Sequence, residues 1–512
     1  MGKHIVIHSI GSLGDLFPFL RIGKALAVRG HRVTIATLSL YQERVEKAGL
    51  GFHKTGPELP ELTPELVEAI ADPVSGGEYL HRKLLYPAIE ECYADLMDAC
   101  HGADLLVSGS IAYAAPIVAA MTGIRWVSTN LQPMFMFSAY DPPVPPPAPG
   151  LRHLKKMLGS IYGRSLKKRF RKEASGWAGP IYRLRGTLGL PRGGEPITEA
   201  AYSPLLHLAL FSPQIGKRQK DWPRTTRQCG FVFEPGAPKV FADTPLPGDL
   251  GRFEIPPAPP EPRAGEYRGQ TEGEEPAHAG SAEPHADAHV EPHAEAMREV
   301  LEPVPADHGQ RVEHFMYQEQ RPLLFTLGSS ATYIAGDYFI TAMEAAEAVG
   351  RNAILIGDDA VASWRLAGEP THVAAFDYLP YEDVFGRASV IVHQGGIGTT
   401  AEALRAGVPQ LVVPFGSDQY DNGERIKRLG CGLWVARDGF DHRNAPKLLG
   451  QMLNETRYAT AARQTAEAIR AEDGLKEAVL ALEGLLNPDA PQTAVQSKVS
   501  PAPTPEPVGT GG

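Results

Sequence analysis

Cysteine is scarce in this chain, which has only four in 512 residues: Cys92, Cys100, Cys229 and Cys431. None belongs to a CxxC pair or a Cys/His pattern, which excludes a disulfide-stapled fold and a zinc-ribbon site. Cysteines of this kind are typical of a reducing compartment, so we expect a cytoplasmic protein. The sequence also lacks any run of about 18 apolar residues, and no membrane-spanning helix is expected. The N-terminal residues have neither the long apolar run nor the small-residue cleavage site of a signal peptide.

Excess charge is absent outside one segment. The net charge of −10 comes from residues 256–320, where 14 Asp and Glu face 4 Lys and Arg, while the remainder has 46 of each sign. Such a balance gives no electrostatic footprint for nucleic acid. The segment also holds ten prolines and six histidines, a composition that predicts a disordered insert. Residues His285, His289 and His293 are spaced as a helical metal site would require, but the compositional bias of a linker is the preferred interpretation.

Strands and helices alternate on both sides of this insert. A strand is predicted from Lys3 to His8, a helix from about Leu16, and a further strand from Arg32 to Leu38. The pattern resumes at Pro322, and such alternation favours doubly wound parallel sheets. We therefore predict an α/β protein with two similar domains, each built on a doubly wound parallel sheet. The predicted boundaries are 1–235 for the first domain, 236–320 for the linker with its insert, 321–487 for the second domain and 488–512 for a disordered tail.

The strongest motif is the stretch HQGGIGTTAE, which covers residues 393–402. A predicted strand ends at His393, and a helix begins a few residues later. Glycines at 395, 396 and 398 let the backbone approach a ligand closely, and the N-terminus of a helix attracts an anion. The motif therefore predicts a diphosphate site, although it lacks the lysine of a P-loop. The alternative is a glycine turn with a purely structural role.

Two stretches resemble the nucleotide-sugar glycosyltransferases with the glycosyltransferase-B fold. One is HQGGIGTTAEALRAGVPQLVVPFGSDQYDN (393–422), similar to their donor-binding signature, and the other is IGSLGDLFPFL (10–20), similar to the opening of the sterol and macrolide branch. Shorter stretches, SPQ (212–214) and QKDWP (219–223), resemble the rhamnosyltransferase catalytic chain of rhamnolipid synthesis. The resemblance covers about 1–255 and 321–485. It implies two Rossmann-like domains that face a cleft. It also implies transfer of a hexose, from a UDP-glucose or dTDP-rhamnose type of donor, to a hydroxyl of a hydrophobic acceptor.

The resemblance also implies roles for individual residues. The donor diphosphate would be held by Gly328, Ser329, His393, Gly395, Gly396, Gly398, Thr399 and Asn422. The ribose would be bound by Glu402, the nucleobase by the loop of Tyr378, Leu379 and Pro380, and the donor sugar by Asp418 and Gln419. The catalytic base would be Asp15, and the reaction an inverting displacement without a metal ion or other cofactor, in which His393 and the helix N-terminus stabilise the leaving group.

The role of Asp15 as the base depends on its surroundings. Plant members of the family carry a histidine at the place of Asp15 and an aspartate where this chain has Ser108. An isolated aspartate has a pKa near 3.9, which is low for a general base unless burial raises it. The alternatives are that Asp15 is only the N-cap of its helix, and that His8 is the base rather than a core histidine.

The acceptor side is predicted from two stretches. Met134, Phe135 and Phe137 form either an apolar wall of the acceptor pocket or ordinary domain core. Residues 152–172 carry nine Lys and Arg among apolar residues at near-helical spacing. Such a helix either lies on an anionic membrane, here the inner membrane face, or is a solvated surface of the domain.

Three other functions share the doubly wound layout. A dehydrogenase is disfavoured because the first loop reads GxxGD rather than GxGxxG and the second strand ends Thr37-Leu38-Ser39 without an acid for the ribose. A nucleotide-sugar epimerase would keep the diphosphate site but needs no acceptor, and a non-catalytic donor-binding subunit would not need Asp15. The partners expected from the preferred function are a nucleotide sugar and a hydrophobic acceptor, with no nucleic acid.

Overall fold

The computed structural model describes residues 2–58, 63–144, 158–234, 313–316, 320–328 and 331–486. The predictions made for most of the insert, for its histidines at 285, 289 and 293, for Ser329, for residues 152–157 and for the tail lie outside these residues.

The first domain is built on parallel strands, each short and largely buried. They are β1 (His4–His8), β2 (Arg32–Thr37), β3 (Gly51–Lys54), β4 (Leu105–Ser108), β5 (Arg125–Asn130), β6 (Leu206–Ala209) and β7 (Thr226–Gln228). Their order in the seven-stranded sheet is β3-β2-β1-β4-β5-β6-β7. The order reverses between β1 and β4, and ligands of such sheets bind at the carboxyl ends of the strands beside this switch point.

Helices cover both faces of this sheet. They are α1 (Leu13–Val28), α2 (Gln42–Lys47), α3 (Pro64–Ala71), α4 (Gly76–Tyr79), α5 (Ile89–Ala99), α6 (Ala115–Thr122), α7 (Ser160–Trp177) and α8 (Gly179–Thr187). A π-helical segment, Leu80–Leu85, connects α4 towards α5. Apolar residues of α1 such as Leu16, Phe19 and Ile22 are fully buried against β1 and β2.

The second domain repeats the plan with a six-stranded parallel sheet. Its strands are β8 (Leu323–Thr326), β9 (Ala353–Ile356), β10 (Val373–Phe376), β11 (Val390–His393), β12 (Gln410–Val412) and β13 (Gly432–Trp434). Their order is β10-β9-β8-β11-β12-β13, so the switch point lies between β8 and β11. Its helices are α9 (Tyr338–Ala348), α10 (Ala360–Leu366), α11 (Tyr381–Val384), α12 (Ile397–Ala406), α13 (Gln419–Leu429), α14 (Asn444–Asn454), α15 (Thr456–Arg470) and α16 (Gly474–Leu486).

Two details differ from the domain boundaries expected from the sequence. Helix α16 lies within the predicted second domain, yet its residues Ala478, Val479 and Leu482 pack into the core of the first domain. Phe315, inside the predicted insert, is buried in the core of the second domain within a helical turn at 313–316. The expectation of disorder is therefore wrong at that end of the insert, because an aromatic side chain gives the turn enough apolar surface to pack.

The two domains meet over apolar and charged contacts. Met136 and Phe211 of the first domain share one apolar cluster with Leu404 and Ile426 of the second. At another point a Cβ on Gly416 would collide with the carbonyl of Ala71 at the end of α3. Both cores are therefore continuous with the interface, which brings the switch points of the two sheets towards one cleft.

Within the ranges given above, none of the helices combines the length and apolar character required to cross a bilayer.

Candidate active site

The first-domain half of the site lies where β1 ends and α1 begins. Helix α1 starts at Leu13, earlier than predicted, with Ser12 as its N-cap residue. Asp15 is thus in the first turn, and its Oδ2 accepts hydrogen bonds from the Ser12 backbone N–H at 2.9 Å and the Ser12 hydroxyl at 3.0 Å. Asp15 is therefore not the N-cap residue, although it helps to stabilise the start of the helix.

The surroundings of Asp15 suit a general base. Gly11 has a φ of +135°, and a Cβ there would lie 2.5 Å from Oδ2 of Asp15, so the loop needs glycine at this point. Burial raises the pKa of Asp15, while the hydrogen bonds from Ser12 oppose the rise. Both hydrogen bonds from Ser12 go to Oδ2 of Asp15, so Ser12 does not engage the other carboxylate oxygen, Oδ1.

His8, the alternative base, is a core residue. It is fully buried, and its Nδ1 donates to the carbonyl of Ala36 at 3.1 Å. Burial lowers its pKa to about 4. A ring without solvent exposure does not reach an acceptor in the cleft, so the structure favours the core interpretation.

The second-domain half of the site is the glycine turn between β11 and α12. Gly395 has a φ of +92°, and a Cβ there would lie 2.5 Å from Cγ1 of Val412. Gly396 precedes α12 without a side-chain cap, and a Cβ on Gly398 would meet no atom within 4 Å. The side of α12 at Gly398 is therefore open, and the unpaired N–H groups of a helix's first turn suit an anion.

His393 differs from its predicted role. Its Nδ1 accepts a hydrogen bond from the N–H of Gly395 at 3.0 Å, and its Nε2 donates to Oε1 of Gln410 at 2.9 Å. Burial lowers its pKa to about 4, so the ring is neutral near pH 7. Since both ring nitrogens are engaged, His393 holds the glycine turn in shape and offers no free donor to a diphosphate.

The start of α13 is tied to the same turn. Nδ2 of Asn422 donates to the carbonyl of Gly395 at 2.9 Å and to Oδ2 of Asp418 at 2.7 Å. Asn422 is almost fully buried and thus supports the turn from behind. Oε1 of Gln419 accepts from the N–H groups of Phe415 and Gly416 at 2.7 and 3.0 Å, which leaves its amide Nε2 as the group for a sugar hydroxyl.

Glu402 forms part of an ion-pair cluster that reaches the first domain. Its Oε2 lies 2.8 Å from Nη2 of Arg405, and its Oε1 lies 3.8 Å from Nη2 of Arg21 on α1. Burial raises the pKa of Glu402, and the two arginines oppose the rise. The carboxylate is thus oriented before any ribose is bound, and it links the nucleotide half of the site to the helix that carries Asp15.

Sequence reasoning missed two polar residues at the turn. The hydroxyl of Tyr381 forms hydrogen bonds with Thr326, at 3.0 Å, and with Thr399 in the first turn of α12; the predicted role of Thr399 in diphosphate binding stays a prediction. The amide of Gln394 packs so closely on Gly328 that a Cβ there would collide with it. Tyr381 directly follows the predicted nucleobase loop, and Gln394 lies within the stretch HQGGIGTTAE. Their closeness in sequence to predicted site residues was therefore the signal that could have identified them.

The predicted nucleobase loop runs from the end of β10 to the start of α11. Tyr378 is 77% exposed, and Leu379 is a partly buried residue against the core of the domain. Pro380 immediately precedes α11 with extended backbone. The ring of Tyr378 is therefore exposed, and its role in binding a nucleobase stays a prediction.

The predicted acceptor residues separate into two groups. Phe137 is buried and stacks on Phe170 of α7, with ring centroids 4.9 Å apart. It therefore belongs to the domain core, and its assignment to the acceptor pocket is wrong. Met134 and Phe135 are only partly buried and lie in a 3-10 turn, Pro133–Met136, that follows β5 at the carboxyl edge of the sheet.

The two halves of the site face each other. Asp418 has a pKa raised to about 7, by burial first and then by the negative charge of Asp15. A carboxylate of the first domain and one of the second thus lie within electrostatic range, beside the glycine turn. Two parallel α/β domains with this cleft define the glycosyltransferase-B class, and the predicted fold is confirmed.

The comparisons with known proteins agree with that class. Residues 5–92 match the glycosyltransferase family 28 N-terminal domain, and residues 342–485 match the C-terminal domain of erythromycin biosynthesis protein CIII-like proteins. The chain is a glycosyltransferase, and the prediction of a hexosyltransferase is confirmed.

Three individual proteins illustrate the similarity. O-mycaminosyltylonolide 6-deoxyallosyltransferase of Streptomyces fradiae is 26% identical over 94% of this chain and 96% of its own length. A sterol 3-beta-glucosyltransferase of Leptosphaeria maculans is 24% identical over 93% of this chain, which spans only 28% of that protein. The solved structure of spinosyn rhamnosyltransferase complexed with thymidine diphosphate has a TM-score of 0.57 at 16% identity, covering 94% of this chain and all of that one.

Proposed function

We propose that this chain transfers a hexose from a nucleoside diphosphate sugar to a hydroxyl group of a hydrophobic acceptor. The observation that carries the proposal is the position of Asp15, whose charge reaches Asp418 beside the glycine turn. An acid on one domain and an anion site on the other are what a displacement between two bound substrates needs. The alternatives of a donor-binding subunit and of an epimerase have no use for a partly free carboxylate on the acceptor side.

The reaction is then a single displacement. Oδ1 of Asp15 takes the proton of the acceptor hydroxyl as its oxygen attacks the anomeric carbon of the donor. The bond to the nucleoside diphosphate breaks on the opposite face, which inverts the configuration. The N–H groups at the start of α12 stabilise the charge that develops on the leaving diphosphate, while His393 and Asn422 keep the turn in position.

We further propose that this charge stabilisation needs no metal ion. The helix N-terminus supplies positive potential at the place where a cation would otherwise be required. Initial rates measured with and without an excess of EDTA test this. Equal rates are expected, and a loss of activity that magnesium or manganese restores would refute metal independence.

The relatives indicate the general type of sugar donor and of acceptor. The curated relatives include a macrolide deoxyhexosyltransferase and sterol glucosyltransferases, and one structural neighbour holds thymidine diphosphate. We therefore propose UDP-glucose or dTDP-rhamnose as the type of donor, and a lipid, sterol or polyketide-like acceptor. The similarity to rhamnosyltransferases of rhamnolipid synthesis stays a prediction.

The decisive experiment combines a substrate panel with two variants. UDP-glucose and dTDP-rhamnose are offered with 3-hydroxy fatty acids and sterols, and products are detected by mass spectrometry. Asp15→Asn keeps an oxygen acceptor for Ser12 but removes the base, so we expect activity to fall by a factor of about 10² to 10⁴ with unchanged donor binding. Ser12→Ala, the control, removes the hydrogen bond but keeps the carboxylate, and its activity should fall far less. Full activity of Asp15→Asn would refute the mechanism.

We also propose peripheral contact with an anionic membrane through residues 152–172. In the described part, Leu158 is 42% and Ile161 is 61% exposed, and Arg164, Lys168 and Arg169 on α7 are exposed as well. Apolar residues flanked by bases suit an anionic lipid surface. Sedimentation with vesicles of phosphatidylglycerol and phosphatidylcholine tests this contact. Ile161→Asp should weaken vesicle binding, whereas the control Val28→Asp, at a site on α1 that is 88% exposed, should not. Equal binding by the two variants would refute the contact.

A further inference from the structure

A second cavity lies in the seam between the domains, away from the glycine turn. Its volume is about 320 Å³. The first domain contributes the segments around Tyr140 and Gln214 to Lys217, and the second contributes the last turns of α13, with Arg425 and Arg428. Arg425 comes six residues after the first residue of α13, which is about 9 Å along the helix axis, so this cavity is separate from the start of α13 at the active site.

The buried wall of this cavity contains an arginine with an unused donor. Arg425 is 2% exposed, and its Nε donates to Asp421 at 2.7 Å. Its Nη1 donates to Asp141 at 2.6 Å and to the carbonyl of Ile215 at 2.8 Å. Its Nη2 is buried and has no partner within the described ranges. Since that nitrogen is closed off from the cavity itself, Arg425 adds positive charge to the wall, and the cations open to a ligand are Lys217 and Arg428.

Positive charge exceeds negative charge around this donor. Lys217 and Arg428 also line the cavity, against the single carboxylate of Asp141. Both oxygens of Asp141 are engaged, one with Arg425 and the other with Arg428 at 3.1 Å. Lys217 is exposed and forms no ion pair with any residue that the structure describes. The cavity therefore has cationic donors to spare on both domains.

We propose that the seam cavity binds a small molecule through an oxyanion, either a phosphate or a carboxylate. Arg428 supplies a guanidinium group, which matches the planar geometry of such anions. Lys217 contributes an ammonium group from the first domain, and the buried Arg425 adds positive charge behind them. Tyr140, Ile215 and Leu429 provide apolar surface for the rest of the ligand. Because both domains contribute, the bound anion stabilises the arrangement in which they meet.

Calorimetric titration of the full chain with sodium phosphate, and separately with sodium acetate, at constant ionic strength tests the proposal. Lys217→Gln and Arg428→Gln each remove one cation from the cavity wall, and each should weaken binding about tenfold, which corresponds to about 1.4 kcal/mol. Lys220→Gln and Lys427→Gln are matched controls, since these exposed residues lie in the same loop and on the same helix but outside the cavity. Arg425 is left in place because its loss would leave the buried carboxylate of Asp421 without its ion-pair partner.

The outcome is independent of the proposed transferase activity. Phosphate bound at the glycine turn would give the same signal in all four variants, whereas phosphate in the seam is lost in two of them. Saturable binding of either anion that depends on Lys217 and Arg428 supports the proposal, and the anion that binds identifies the ligand class. Absence of saturable binding for both anions, or equal binding by these two variants and their controls, overturns it.

Discussion

Asp15 and Asp418 belong to different domains, yet the charge of Asp15 adds to burial in raising the pKa of Asp418 to about 7. Two carboxylates that share a cleft resist simultaneous ionisation, so one of them keeps its proton to unusually high pH. Near neutral pH, Asp418 is therefore poised between its two protonation states. Asn422 donates to Asp418 at 2.7 Å, which opposes the rise without abolishing it.

This relationship predicts how stability depends on pH. Because the folded-state pKa of Asp418 lies above its ordinary value of 3.8, the folded chain binds the proton more tightly than the unfolded chain. Its contribution to the free energy of unfolding is thus present at acidic pH and lost as the pH rises towards 7. Asp418→Asn removes this titration, so its melting temperature relative to wild type should be about 2–4 °C higher at pH 8 than at pH 5. Asp438→Asn, at an exposed carboxylate, should show no such trend, and the same trend in both would contradict the prediction.

The glycines of the turn predict two different phenotypes. Gly395→Ala introduces a Cβ 2.5 Å from Val412 at a φ of +92°, and we expect it to lower the free energy of unfolding by about 1–3 kcal/mol. Gly398→Ala places its Cβ in open space, so stability should change by less than about 0.5 kcal/mol. That methyl group would nevertheless crowd a bound diphosphate and lower the affinity for the nucleotide. Urea denaturation together with titration by UDP and dTDP separates the effects, and unchanged nucleotide affinity of Gly398→Ala would argue against the site.

Substitution of Glu402 should change the affinity for the nucleotide with little effect on the fold. Arg405 lies 2.8 Å from one of its carboxylate oxygens and Arg21 lies 3.8 Å from the other, so a ribose hydroxyl would bind to the oxygen on the Arg21 side, where the contact is longer. Glu402→Gln loses the charge, and we expect the dissociation constant of the bound nucleoside diphosphate to rise about tenfold, as for loss of a charge-assisted hydrogen bond. Titration with UDP and dTDP measures it. Glu344→Gln, at an exposed position on α9, is the control and should bind as the wild type does.

Much of the fold follows from local sequence signals. Buried runs such as LLVS (105–108) and VIVH (390–393) are strands as predicted, because continuous apolar segments between helices suit a parallel sheet. No strand was predicted at β6, β7, β10 or β13, each of which has only three or four residues, and in β7 one of the three, Arg227, is exposed. The start of α1 was misplaced because the cap is Ser12, whereas the sequence suggested Asp15.

The site could be predicted in position but not in hydrogen bonding. Glycine, histidine and aspartate residues at strand ends indicated where the two halves lie. The neutral state of His393 depends on Gln410, which is in the next strand, and the core position of Phe137 depends on Phe170, which is on a later helix. Such partners are set by tertiary packing, and the spacing of residues along the chain carries no signal for them.

The interface itself gives the last prediction. Asp141 lies 2.6 Å from the buried Arg425 and 3.1 Å from Arg428. Burial alone would raise the pKa of Asp141, but the two arginines outweigh it and lower the pKa. Its contribution to stability is thus present at neutral pH and lost as the pH falls through the folded-state pKa.

Asp141→Asn leaves the guanidinium of Arg425 with one carboxylate in place of two. Since an uncompensated buried charge is costly, we expect the free energy of unfolding at pH 7 to fall by about 2–4 kcal/mol in urea denaturation. Glu43→Gln is the matched control, because its pair with Lys47 is 74–80% exposed and should contribute less than about 0.5 kcal/mol. Equal effects of the two substitutions would mean that Arg425 finds sufficient compensation in Asp421 alone, and that the ion pair across the seam does not stabilise the contact between the domains.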